Sequence, residues 1–352
     1  MTPKEILCNK HPSTPDTTNL NNNLYSSILP AGPYSPQAHT PIIYVTAQCS
    51  VLSTRTAVFR SVRCSVTLAA FAGAIRHVYI DSGMGIRTHC QYLSDKVGLL
   101  FGKLARLARC RWGLRFGTLS TIYRGAVLPV VTYAAAGWSD LCGVKDLSKL
   151  RSMQRRVLIA MTSAYRRASW EALCVVAGVV PVDVLLQQHR ALYALRKGRD
   201  AQIGQIRIQG MSEDAASRVR EEALNLWQSS WTSSHKSCIT YAYYSGIREQ
   251  LAANWMKPNH FTTQALTGHG NFQSRLLAYG VVDDEVCVCG SEADNVGHFI
   301  LECPLYDPQR EALEMVEVEL PEAAPFLVSS AEAFSVFAGF CEESLYVKGF
   351  DR

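Results

Sequence analysis

No stretch of this 352-residue sequence approaches the roughly 18 uninterrupted apolar residues that a membrane-spanning helix needs. The start, MTPKEILCNKHPSTPD, lacks the apolar core of a secretory signal. No membrane partner is expected, and the expected location is intracellular, in the nucleus, the cytoplasm or both. Cys-x2-Cys pairs are missing, and nine of the 12 cysteines (8, 49, 64, 90, 110, 142, 174, 238 and 341) are scattered singly. That spacing excludes the framework of a small disulfide scaffold and points to a reducing compartment. A phosphate-cradling loop is absent too: Gly83-Met84-Gly85 has no Lys-Ser/Thr after it, so nucleotide binding there is not expected.

Acidic residues are scarce where basic ones are dense. Between Ser94 and Arg199 there are 18 Lys/Arg against 5 Asp/Glu, whereas Glu311 to Arg352 holds 2 against 9. The net charge of +5 hides this asymmetry. A basic block calls for a polyanionic partner, nucleic acid first; the alternative is a solvated helical surface. Hydrophobic content of 48% and aromatic content of 9% are those of a globular chain.

The remaining three cysteines are clustered. In EVCVCGSEADNVGHFILECPLY, Cys287, Cys289, His298 and Cys303 fall within 17 residues. Two thiols, an imidazole and a third thiol are enough to close a tetrahedral structural zinc site. Gly290 lets the backbone turn after the first pair, and VGHFILEC reads as a short helical turn. The alternative is three buried free thiols near a histidine by chance.

Residues 1–40 are rich in Pro, Asn, Ser and Thr and read as disordered. Residues 41–93 carry β-type runs, IIYVTAQ, SVTLAAF and HVYI. From His89 the period becomes helical: Tyr92/Leu93, Val97, Leu100/Phe101, Leu104 and Leu107/Ala108 share one face, with Lys96, Lys103, Arg106 and Arg109 on the other. A second helix, GTLSTIYRGAVLPVVTYAAAGW, reads as broken at Pro129. In the third, Leu147, Leu150, Met153/Gln154, Val157/Leu158 and Met161 point inward, and Lys149, Arg151, Arg155, Arg156, Arg166 and Arg167 largely outward. Ser169 is an expected N-cap, Gly178 a C′ residue and Pro181 the opening of the next helix. This makes a basic helical bundle over 94–200. DAQIGQIRIQG is a weak link, after which Leu224, Trp227 and Trp231 mark a buried stripe. The segment 201–270 reads as mainly helical, 271–310 as the cysteine-containing unit and 311–352 as an acidic tail.

Several separated stretches then agree with one family. DSGMGIRTHCQYLSDKV, YRGAVLP, MQRRVLIAMTSAYRRASWEAL with VVAGVVPVD, QALTGHGNF, and Cys-x-Cys-Gly…His…Cys-Pro-Leu-Tyr together resemble a non-LTR (LINE-type) retrotransposon polyprotein. The match is to the part of its reverse transcriptase that follows the catalytic palm, and covers roughly residues 79–310. The resemblance implies a mainly α architecture: a helical thumb-like bundle over 94–200 that grips nucleic acid, a helical linker, and a CCHC zinc knuckle held by Cys287, Cys289, His298 and Cys303. It also implies RNA or DNA as partner, within a retrotransposon ribonucleoprotein. The nucleic-acid contacts would be Lys103, Arg106, Arg109, Arg111, Arg115, Arg151, Arg155, Arg156, Arg166 and Arg167, through salt-sensitive phosphate contacts.

Departures from the family matter for chemistry. Polymerisation needs paired aspartates holding two metal ions, and the family's F/Y-A-D-D turn is absent. Asp283-Asp284 is the one Asp-Asp pair; it is out of order and reads as a solvated loop. No catalytic residue is expected, and Mg2+ would be needed only with a catalytic palm upstream. The chain reads as a truncated C-terminal region. Its rivals are the tail of an active RNA-directed DNA polymerase and a zinc-stabilised protein-interaction module. His269, between glycines, reads as a turn with an exposed imidazole. Trp112, Trp138, Trp227 and Trp231 read as core rather than as base-stacking groups.

Overall fold

The computed structural model describes residues 64–68, 76–81, 83–108, 115–210, 212–290, 293–313 and 320–350. The disorder expected over 1–40, the run IIYVTAQ and residues Arg109, Arg111 and Trp112 lie outside the described residues. Strands β1 (Cys64–Leu68) and β2 (Arg76–Ile80) pair antiparallel, with Val66 opposite Val78. Helix α1 (Arg87–Ala108) follows, so residues 87–93 are its first turns and not β-type backbone. Its buried stripe is Cys90, Leu93, Val97 and Phe101, which recur at the helical period. Leu100, assigned to the same face, is exposed at the stripe's edge.

The expected break at Pro129 does not occur there. α2 (Phe116–Ile122) runs into a π turn, Tyr123–Val127, and on into α3 (Leu128–Thr132), whose first turn holds the proline. A mid-helix proline lacks an N–H and crowds the carbonyl one turn back. The wider π turn, in which Leu128 donates to the Tyr123 carbonyl, accommodates both effects. The chain breaks instead at Ala134, which adopts φ +49, before the short α4 (Ala135–Trp138).

α5 (Val144–Thr162) is the central helix and packs against α1, α6 (Trp170–Val176) and α7 (Val182–Arg196). Leu150, Met153, Val157, Leu158 and Met161 are buried along it. So is Gln154, whose amide is fully used. Nε2 donates to the Tyr123 hydroxyl at 3.0 Å and the Val180 carbonyl at 2.9 Å. Oε1 accepts from the Trp170 indole at 2.9 Å and the Val182 amide at 3.0 Å. One side chain thus ties four segments. Ser169 caps α6, accepting from the Ala172 amide at 3.1 Å. Pro181 is the residue preceding α7 rather than its first.

The weak link is a hairpin. β3 (Ala201–Ile203) and β4 (Ile206–Ile208) pair with Gln202 opposite Arg207, turning at Gly204 with φ +56. Ala201, Ile203 and Ile208 join Val184, Ala191, Ala215, Val219 and Ala223 in a small second core against α7 and α8 (Ala215–Ser233). Helices α9 (Cys238–Tyr243), α10 (Ile247–Ala252), α11 (His260–Thr267) and α12 (Gln273–Leu277) follow. Beyond the cysteine segment come α13 (Asp307–Arg310), α14 (Leu320–Leu327) and α15 (Ala331–Phe350).

Read from its charge as a tail, the end of the chain is instead part of the core. Phe334, Phe337, Phe340, Cys341 and Leu345 of α15 are buried, while Glu332, Glu342 and Glu343 face solvent. The helix lies against α11. The main apolar core runs from Val78 to Leu345 and includes Cys287 and Cys303. Bundle, linker and cysteine segment therefore share one interior. Among the described residues no helix is long and apolar enough to cross a membrane.

Candidate metal centre and basic surface

Two turns bring the four ligand-type residues together. Gly290, at φ +83, donates to the Cys287 carbonyl at 2.8 Å and closes the first turn; a side chain would resist that backbone. A β-bridge between Val286 and Ala293 returns the chain. Asn295 then caps the second turn, its Oδ1 accepting from Gly297 at 2.8 Å and His298 at 3.1 Å. Residues His298–Glu302 form a π turn closed by Cys303 N–H donating to the His298 carbonyl at 2.8 Å.

The result is a compact set. Cys287 Sγ lies 3.7 Å from Cys303 Sγ, and Cys289 Sγ lies 3.4 Å from His298 Nε2. The four ligand atoms all lie within 4.8 Å of one another. Sulfur and nitrogen bound tetrahedrally to zinc, at about 2.3 and 2.0–2.1 Å, stand about 3.8 Å (S–S) and 3.6 Å (S–N) apart. The Cys287–Cys303 and Cys289–His298 edges match this. His298 Nδ1 faces Glu302 Oε2 at 3.4 Å, the placement of an outer carboxylate that turns Nε2 toward a metal. Burial pushes the Cys303 thiol up to about 12 and raises that of Cys287. Without a cation these groups are neutral thiols; a bound metal takes them as thiolates. The donor set fits a metal ion.

Contacts around the cluster fix it to the core. Arg310 donates to the carbonyls of Cys303 at 2.6 Å and Ile300 at 2.8 Å. Phe299, between His298 and Cys303 in sequence, meets the rings of Phe272, Tyr306 and Phe340. Asp294 is buried and accepts from the Gln273 amide at 2.9 Å and from Lys348 Nζ. Sequence reasoning missed both Lys348 and Asp294, since nothing local marks their pairing.

The basic residues divide by what already engages them. Arg151 is paired with Asp183, Nε to Oδ2 at 3.1 Å, and lies over the Trp170 ring. Arg155 donates to the Ala168 carbonyl at 2.8 Å and to that of Arg166, which shapes the α5–α6 loop. Arg156 is exposed and donates to Ser94 Oγ at 2.7 Å. Arg115, Arg166 and Arg167 are exposed, the last over the Tyr279 ring. Lys103 and Arg106 belong to α1.

Other candidates fall into place. Asp283 and Asp284 are exposed, and Asp284 Oδ1 accepts from the Val286 amide at 3.2 Å. The His269 imidazole is half-buried rather than exposed, and desolvation lowers its pKa, with Arg275 next in effect. It follows Gly268, the left-handed residue ending α11. Trp138, Trp227 and Trp231 are buried, with Trp138 and Trp231 donating to the Tyr133 and Tyr244 carbonyls.

No protein-family model matches the sequence. No solved structure matches the chain. Curated proteins do. The chain is 38% identical over 276 residues to a retrovirus-related Pol polyprotein from type-1 retrotransposable element R1 4 of Nasonia vitripennis, covering 76% of this chain and 70% of that protein. It is 29% identical over 258 residues to the R1 Pol polyprotein of Bradysia coprophila, 71% of this chain but 26% of that protein. It is also 28% identical over 241 residues to a putative 115 kDa protein in the type-1 retrotransposable element R1DM of Drosophila melanogaster, 66% of this chain and 24% of that protein. The chain thus spans about a quarter of the length of these two larger relatives. At that identity and coverage the chain belongs to the Pol polyproteins of R1-type non-LTR retrotransposable elements.

Proposed function

We propose that this chain is the nucleic-acid-holding region of an R1-type Pol polyprotein: a thumb-like basic helical bundle and a zinc knuckle on one core. It binds RNA or DNA and does not itself carry polymerase aspartates. The carrying observation is the Cys287–Cys289–His298–Cys303 cluster, four ligand atoms within 4.8 Å of one another, with Cys287 and Cys303 in the main core. Zinc suits three sulfurs and one nitrogen. Mg2+ enters only where a catalytic palm accompanies the chain.

The exposed arginines supply the charge. Arg115, Arg166 and Arg167 are exposed and able to reach phosphates, whereas Arg151, Arg155 and the exposed Arg156 are engaged within the fold. The domain division over 94–200, 201–270 and 271–310 serves this reading as a functional one, since the three share a core.

The test is binding of labelled RNA and DNA oligonucleotides to the full chain purified with zinc. Affinity should fall with salt at a log–log slope of about 0.7–0.9 per phosphate contacted. Arg166→Glu with Arg167→Glu should weaken it and reduce the slope. Salt-insensitive capture of a protein partner, with no oligonucleotide binding, would instead support the interaction-module reading.

A further inference from the structure

The α5–α6 loop, the start of α11 and the residues after α12 bring aromatic and cationic side chains to the surface. Tyr165 is 42% exposed and Tyr279 37%. The exposed His260 ring lies 5.5 Å from that of Tyr165, and its Nδ1 is 3.0 Å from the Ser163 carbonyl. The Arg167 guanidinium lies 4.8 Å from the centre of the Tyr279 ring. Arg166 is exposed beside it.

The loop is held in shape rather than left loose. Ser163 ends α5 in the left-handed conformation, φ +54. Arg155 donates to the carbonyls of Arg166 and Ala168. Thr263 of α11 donates to the Thr162 carbonyl at 2.8 Å, which anchors α11 against the end of α5. The Tyr165 and His260 rings are therefore presented by a fixed backbone.

Exposed tyrosines, one beside an arginine and one beside a histidine, have a specific use. The ring offers a π face to a base, and the neighbouring arginine or histidine meets the adjoining phosphate. Stacking of this kind tolerates any base. It needs unpaired nucleotides, because a duplex keeps its base faces covered. Phosphate contacts alone make no such distinction.

We propose that Tyr165, His260, Arg166, Arg167 and Tyr279 form a stacking platform for single-stranded nucleic acid. The platform rests on the reading that the chain binds nucleic acid, and sharpens it to unpaired strands at this face. It operates without base-specific readout, through ring faces and nearby positive charge.

The experiment uses the full chain purified with zinc, a fluorescein-labelled oligo(dT) of about 15 nucleotides and a duplex of equal length, followed by anisotropy across a salt series. The Tyr165→Ala/Tyr279→Ala variant should weaken oligo(dT) binding by about tenfold or more, with duplex affinity and the salt slope unchanged. Tyr165→Phe/Tyr279→Phe should bind as the parent does. Unchanged oligo(dT) binding by the alanine variant, while Arg166→Glu/Arg167→Glu weakens both ligands, overturns the platform and leaves nucleic-acid binding standing. Equal loss on strand and duplex overturns the single-strand preference. A parent chain that binds neither ligand overturns the underlying reading, and the platform with it.

Discussion

Lys348 of the last helix and Asp294 of the cysteine loop form a buried ion pair across 54 residues of sequence. The lysine side chain is 9% exposed and the aspartate's 3%. Two charges withdrawn from water are costly unless every remaining valence is met. Here the aspartate also accepts from the Gln273 amide, and the ammonium lies 5.2 and 5.6 Å from the Phe272 and Phe299 ring centres. Those rings contribute cation–π attraction in a desolvated place.

Removing one partner of that pair should cost more than removing both. Lys348→Met leaves the Asp294 carboxylate buried alone, and a loss of about 3–5 kcal/mol in unfolding free energy is expected. Lys348→Met with Asp294→Asn removes both charges while keeping an acceptor for Gln273, and should regain at least half. Chemical denaturation of the full chain measures both. A single variant within about 1 kcal/mol of the parent would show that the pair does not fasten the helix to the loop.

Gln154 is a second internal fastening. Gln154→Leu keeps the volume near enough but strips partners from the Tyr123 hydroxyl, the Trp170 indole, the Val182 amide and the Val180 carbonyl. Each buried polar group left unpaired costs about 1–3 kcal/mol, so a loss of roughly 3 kcal/mol or more is expected in the same denaturation assay. Gln154→Glu should also destabilise, because it removes the donor to Val180 and buries a charge. Wild-type stability in the leucine variant would mean water replaces the amide.

How much of this was legible follows from which signals are local. The α5 stripe from Leu150 to Met161, the Ser169 cap and the Trp227/Trp231 stripe were readable because period and capping act within a few residues. So was the Cys/His cluster, whose four residues fall within one short segment. Lys348 and Asp294 were not: a lone lysine and a lone aspartate carry no sign that they meet. The hairpin at Gly204 shows in the sequence only as a weak link because its strands are three residues each. The net charge of 311–352 marks a tail, yet Phe334, Phe337 and Phe340 in its apolar stretch are buried. A pattern states which face is apolar; only the fold states what covers it.

His89 gives the bundle an acid-sensitive point. The residue is 2% exposed among the Tyr79, Tyr92 and Trp138 rings, and neither ring nitrogen has a hydrogen-bond partner among the described residues. Desolvation lowers its pKa to about 4, against about 6.5 for an exposed imidazole. Between those values the unfolded chain binds the proton and the folded one does not, so stability falls as pH drops from about 6.5 toward 4. Above 6.5 this group contributes no pH dependence. His89→Phe should flatten that part of the stability–pH curve; an unaltered acid slope in the variant would rule His89 out as its source.

Metal removal should reach well beyond the cysteine loop. Cys287 and Cys303 lie in the same apolar core as α5, α11 and α15, so loosening their loop exposes Phe299 and its partners Phe272 and Phe340. About one zinc per full chain is expected by elemental analysis under reducing conditions, with Cys289→Ser and His298→Gln each losing it. A structural ion held at about a thousand times its dissociation constant stabilises by about 4 kcal/mol, so chelation should lower the melting midpoint of the whole chain in one transition. Glu302→Ala should retain the stoichiometry but weaken the affinity by about 10–100-fold, because it removes the carboxylate facing His298 Nδ1. A chain that binds no zinc, or that melts identically with and without chelator, would show that the four side chains are a cluster of buried thiols and not a metal centre.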